Sequence, residues 1–209
     1  MAISENNVQD ALKNLIDPNT GADFISSKSA KNIQINGNDI SVDIVLGYPA
    51  KSVINEIKSL VETQLKTIAD VGSIKVNIGS RIVAHSAQKG VQLLPNVKNI
   101  IAIASGKGGV GKSTTAVNIA LALAQEGANV GILDADIYGP SQPQMLGISG
   151  RPDSADGKSI EPMQAHGIQA MSIGFLVDTD TPMVWRGPMV TGALEQLSPI
   201  HISEPTRRS

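Results

Sequence analysis

The sequence predicts an α/β fold, a parallel sheet flanked by helices, preceded by a small α+β domain. Three observations predict it. From Val97 onward, short apolar runs alternate with a helical pattern, the period of a βαβ protein. A glycine-rich loop, Gly106-Lys107-Gly108-Gly109-Val110-Gly111-Lys112-Ser113-Thr114, separates the first apolar run from the first helical pattern. Residues 1–95 follow a different order: helix, hairpin, helix, strand. The 209 residues suffice for one large domain or two small ones, and 41% are hydrophobic against 17% charged. With one Trp, two Tyr and two Phe, the packing must rest on Val, Ile, Leu and Ala.

The first domain opens with a helix over Asn7–Ile16, where Val8, Ala11, Leu12, Leu15 and Ile16 share a face. Asp17-Pro18-Asn19-Thr20-Gly21 ends it with turn residues. Two strands, Ala30–Ile35 and Ile40–Leu46, flank Asn36-Gly37-Asn38-Asp39, a hairpin turn longer than the two-residue ideal. Ala50–Ala69 carries Val53, Ile54, Ile57, Leu60, Val61 and Leu65 at helical spacing, and Gly72–Val83 returns to strand alternation. Residues 84–95, polar at first and holding Gly90 and Pro95, read as a linker.

The second domain begins with VKNIIAIA, Val97–Ala104, a β-branched run expected to be a buried parallel strand. The glycine loop follows, and it fits G-x-x-x-x-G-K-S/T without mismatch. Next comes a helix burying Ala116, Ile119, Ala120, Leu123 and Ala124 before a stop at Gly127. Strand, glycine loop and helix together make a P-loop NTPase unit. Its backbone N–H groups and the helix N-terminus would cradle phosphate oxygens. Lys112 would reach the β- and γ-phosphates of ATP, and the Ser113 hydroxyl would ligate Mg²⁺. No G-x-G-x-x-G opens the helix in the register a dinucleotide site needs, and a Lys-Ser pair favours a triphosphate.

Ala128–Leu133 is a second short strand, ending on Asp134-Ala135-Asp136. Carboxylates at such a strand end can lie on one side, hold Mg²⁺ or its water, and orient the attacking water. Strand capping and turn solvation is the alternative reading. Lys107 lies too early in the loop to repeat the role of Lys112. It either reaches a partner subunit's phosphates or is a solvated lysine. A loop over Gly150–Glu161, a strand over Ile168–Phe175, a polar loop over Thr179–Gly187 with Trp185, and a helix from Pro188 to Leu197 complete the pattern.

A net charge of −2 gives no electrostatic case for nucleic acid or an anionic membrane. No apolar run reaches about 18 residues, and the N-terminus has no basic region before an apolar core. The expected location is therefore the cytoplasm. Cysteine is absent, which excludes disulfides and thiolate-ligated metal or cluster sites within these residues.

GKGGVGKST, VGILDADIYGPSQPQMLG and MSIGFLVDTDTPMVWRGPMVTGALEQL closely resemble the Mrp/NBP35 family of cytosolic iron–sulfur carrier ATPases, within the wider MinD/ParA class. The first 90 or so residues resemble the MIP18-type domain that bacterial members carry ahead of the ATPase. The resemblance implies an ATP-hydrolysing homodimer that passes a 4Fe–4S cluster to apo-proteins alongside assembly factors. It implies that Lys107 contacts nucleotide across the dimer. Lys112 and Ser113 would bind phosphate and Mg²⁺, and Asp134 and Asp136 would belong to a switch positioning Mg²⁺ and water.

The family's C-x-x-C cluster ligands and its strand ending D-x-P-P-G-T-G-D do not occur in this chain, and SPIHISEPTRRS (198–209) does not match the family. The expected organisation is thus a MIP18-like domain with its linker (1–95), the N-terminal part of a P-loop ATPase domain (96–197) and a non-native tail, the chain being cut short. Two other functions share many of these features. One is a MinD/ParA-type partitioning ATPase, which has the same loop and both lysines. The other is a nucleotide-binding scaffold of iron–sulfur assembly that scarcely turns ATP over.

Overall fold

A computed structural model describes residues 3–84, 96–136, 138–154 and 160–176. The chain divides into two compact units, Met1–Ala84 and His85–Ser209. The expected linker (apart from Ala84), the Trp185 loop, the helix after Pro188 and the tail lie outside the described residues.

In the first unit, helix α1 spans Glu5–Lys13, earlier than the apolar pattern alone predicts. Ser4 starts it with a capping box: its hydroxyl accepts from Asn7 N while Asn7 Oδ1 accepts from Ser4 N. The helix stops before Leu15 and Ile16, because the chain turns there to bond Asp17 N to Ala22 O. Strands β1 (Ala30–Asn36) and β2 (Asp39–Leu46) pair antiparallel, with Asn36 opposite Asp39. The connecting loop is therefore two residues, shorter than expected, and Gly37 takes the left-handed φ of +64° that this tight turn requires.

Helix α2 (Ile54–Leu65) then carries the chain over to β3 (Ile74–Ser80), which pairs parallel to β2. The order β1-β2-β3 puts β2 in the centre, so its alternate residues Ile40, Val42, Ile44 and Leu46 form the floor of the core. Val8 and Leu12 of α1, Ile57, Val61 and Leu65 of α2, and Phe24 pack in the same cluster. Each such side chain contributes about 1.5–3 kcal/mol on burial. The turn at residues 17–21 is tied down by Asp17, which is only 4% exposed. Its oxygens accept from the Tyr48 hydroxyl at 3.0 and 2.8 Å and from Asn19 N at 2.9 Å.

In the second unit, helix α3 (Lys112–Gln125) ends in a Schellman motif, with Ala128 N on Leu123 O and Gly127 N on Ala124 O. The left-handed φ of +93° at Gly127 permits it. Strand β4 (Gly131–Asp134), helix α4 (Gln142–Leu146), strands β5 (Met163–Ala165) and β6 (Ile168–Ser172) and a 3₁₀ turn (Ile173–Phe175) follow. The sheet order is β4-β6-β5, with β4 and β6 parallel. The antiparallel β5–β6 hairpin turns at His166-Gly167, both left-handed.

Two expectations are corrected here. Val97–Ala104 is not a strand, and Ile100 and Ile101 are 70% and 63% exposed. A parallel strand is stable only between neighbours, and none of the described strands lies beside this run. The buried face of α3 is also displaced from the one expected. Val117 and Ala120 are buried, with Leu121 and Ala124 beside them, whereas Ile119 is 38% exposed. The helix packs on β4, β6 and α4, and that side alone decides its apolar face.

Candidate functional site

The glycine loop ends on Gly111, the N-cap of α3. Gly109 and Gly111 have φ of +72° and +88°, a region where a side chain would be strained. An added Cβ at Gly106, Gly108, Gly109 or Gly111 would meet nothing within 4 Å, so the loop stands open. Ser105 Oγ donates to Lys107 O at 2.7 Å and braces the start of the loop. At its end no side chain caps α3, and the first turn closes with Thr115 N on Gly111 O. The N–H groups ahead of Thr115 are left for an anion, where the helix dipole also favours negative charge. Lys112 and Ser113 begin the helix half-buried, while Lys107, Val110 and Thr114 are exposed.

A short reversal at Glu126–Val130 sends β4 back along α3, on which it packs. Both the N-terminus of α3 and the C-terminal end of β4 therefore lie at one end of the unit, and Asp134 and Asp136 sit there. The two aspartates are not equivalent. Asp134 is 6% exposed, and its oxygens accept from Asp136 N (3.0 Å), Ser141 N (3.2 Å), Gln142 N (3.3 Å) and Ser172 Oγ (3.1 Å). Asp136 is exposed, and its Oδ1 accepts from Gly139 N at 3.2 Å. Both oxygens of Asp134 are engaged in holding the chain, whereas Asp136 offers a carboxylate outward.

Ser172, Ser141 and Gln142 are participants that local sequence reading does not find. Ser172 is the residue opposite Asp134 in the parallel β4–β6 register, and it is fully buried. Its only local signal is a lone hydroxyl inside the apolar run Ile168–Phe175.

The family model for the NUBPL iron-transfer P-loop NTPase matches residues 96–200, half of the chain. The chain belongs to this iron-transfer P-loop NTPase family. A second family model, described as an iron–sulfur cluster assembly protein, matches residues 5–77. This chain is similar to proteins named iron–sulfur cluster carrier protein in several bacteria. That of Pseudomonas fragi is 59% identical over 66% of this chain and 49% of its own length. That of Synechocystis sp. is 43% identical over 88% of this chain and 54% of its own, and that of Escherichia coli 43% over 91% and 52%. The chain spans about half the length of the curated relatives it matches. The first assignment agrees with the motifs of the glycine loop and of DADIYGPS, and the second with the resemblance of the first 90 or so residues.

The donor set of the NTPase site suits Mg²⁺: a serine hydroxyl and a carboxylate are hard oxygen ligands. It does not suit an iron–sulfur cluster, since the chain has no cysteine, and among the described residues no three His, Asp or Glu gather as a metal site. Among the described residues no helix is long and apolar enough to cross a membrane.

Proposed function

We propose that the protein containing this chain is an ATP-hydrolysing carrier that takes up a 4Fe–4S cluster and passes it to apo-proteins, working as a cytoplasmic homodimer. The observation that carries the nucleotide half is the open glycine loop running into an uncapped helix start, at the same end of the unit as an exposed carboxylate. The cargo half is supported by the family and by the names of the relatives. Gly106 to Thr114 enclose the phosphates with backbone N–H groups, and Lys112 sets its charge on the β- and γ-phosphates. Ser113 is the direct Mg²⁺ ligand. A bound ion would supply charge neutralisation at the transferred phosphoryl group.

Asp136 orients the attacking water with its outward carboxylate. Asp134, with its oxygens occupied, serves in the described state by holding the loop, and it meets Mg²⁺ or its water only where that loop releases it. Lys107, at the exposed start of the glycine loop, reaches the nucleotide of the partner subunit. The cluster is cargo, and its thiolate ligands come from outside these residues.

The test is phosphate release by the protein expressed from its full reading frame, before and after cluster reconstitution, with activation of an apo 4Fe–4S enzyme as the delivery readout. Mg²⁺-dependent turnover together with activation is expected. Delivery with phosphate release at the background rate would instead leave a nucleotide-binding scaffold and overturn the ATPase reading.

A further inference from the structure

We propose that Ser172 is a positioning residue for Asp136, acting through Asp134 to hold the 135–142 loop in place. The inference rests on the hydrolysis reading above and deepens it. Asp134 and Ser172 are opposite each other at the ends of β4 and β6. The buried Ser172 hydroxyl donates to Asp134 Oδ2 at 3.1 Å and accepts from Gly174 N at 3.1 Å, so both of its functions are used. The same Asp134 carboxylate accepts from Asp136 N near the start of the loop and from Ser141 N and Gln142 N at its end. One side chain therefore ties both ends of the segment that carries Asp136 to the end of β6.

A second contact seats the same segment. Gly174 lies so close beneath it that an added Cβ would stand 3.0 Å from Pro143 Cγ and 3.2 Å from Pro140 Cβ. A side chain there would make the two prolines give by a few tenths of an ångström. The seat also has a cost, because Ser141 Oγ and Gln142 Oε1 are buried without a hydrogen-bond partner. Unmet polar atoms favour release of the loop, and the bonds gathered on Asp134 oppose it. Removing the Ser172 hydroxyl takes one of the four donors from Asp134 and shifts this balance toward release. Asp136 then keeps its chemistry and loses its fixed position.

Ser172→Ala tests this in the protein expressed from its full reading frame, with Gly174→Ala as a second variant that crowds the two prolines and leaves the hydroxyl intact. Amide hydrogen exchange at Asp136, Ser141 and Gln142 should quicken about tenfold in both variants, with the β5–β6 hairpin unchanged. The kcat for ATP should fall about tenfold while ATP affinity stays within about twofold. In an Asp136→Asn background, Ser172→Ala should cost no further activity, because the group it positions is already gone. Unchanged exchange in both variants would overturn the proposal. So would a kcat loss that adds in full to that of Asp136→Asn. A wild-type protein that binds ATP without turning it over would overturn the hydrolysis reading, and Ser172's part in it, on separate grounds.

Discussion

Asp134 turns into the second unit and Asp136 turns out of it, because the strand ends between them and the chain bends at once into the loop that Asp134 secures. Substitution should separate their roles. On the proposed mechanism Asp136→Asn removes the charge that orients water and keeps an Oδ1 to accept from Gly139 N, so ATP affinity should stay near normal while hydrolysis slows on the order of a hundredfold. A variant that turns over at the wild-type rate would return Asp136 to turn solvation. The glycine loop was legible in the sequence because its residues are contiguous, and Gly109 and Gly111 take the left-handed φ that glycine permits. Ser172 was not legible. Its partner is 38 positions away, and only the β4–β6 register brings the two together.

Elements with their own start and stop signals read well, and those that depend on neighbours did not. The β1–β2 hairpin and α2 were visible in alternation and helical spacing, with their bounds shifted by a few residues. The start of α1 was missed because Asn7 stands where Glu or Gln usually completes the capping signature. Val97–Ala104 failed for a different reason: an apolar run states that a strand could be buried, and the partners that would bury it are not among the described strands.

The Asp17–Tyr48 tie between the first turn and the end of β2 was likewise invisible, being a contact across 31 positions. It makes a pH prediction. Burial, and then the bond to Asp17, push the Tyr48 hydroxyl up to about 12, with Asn19 opposing. The neutral phenol is the stabilised form, so its contribution is complete below the ordinary tyrosine value of about 10 and is lost as pH rises through about 12. Tyr48→Phe should destabilise the Met1–Ala84 unit by about 1–3 kcal/mol near neutral pH, because Asp17 stays buried with fewer donors. Melts of the two proteins between pH 9 and 12 should converge as the wild type loses this contribution. Equal melting temperatures at neutral pH would contradict the account.

The molecule as a whole joins two units with separate cores, and the glycine loop, Asp134 and Asp136 all lie in the second. Fold class was legible because the helical and strand periods change at Val97 and because the glycine loop has a strict grammar. The seating of the 135–142 loop on the end of β6 was not, since it is made by contacts distant in sequence. The central claim is that the glycine loop and Lys112 hold a nucleoside triphosphate. Calorimetric titration of Mg·ATP into wild type and Lys112→Ala, each from the full reading frame, tests it most directly. Saturable binding by the wild type is expected, with affinity lower by at least about tenfold in the variant and an unchanged circular dichroism spectrum, the loss of one charge-assisted contact. Equal ATP affinity in the two proteins would contradict the claim.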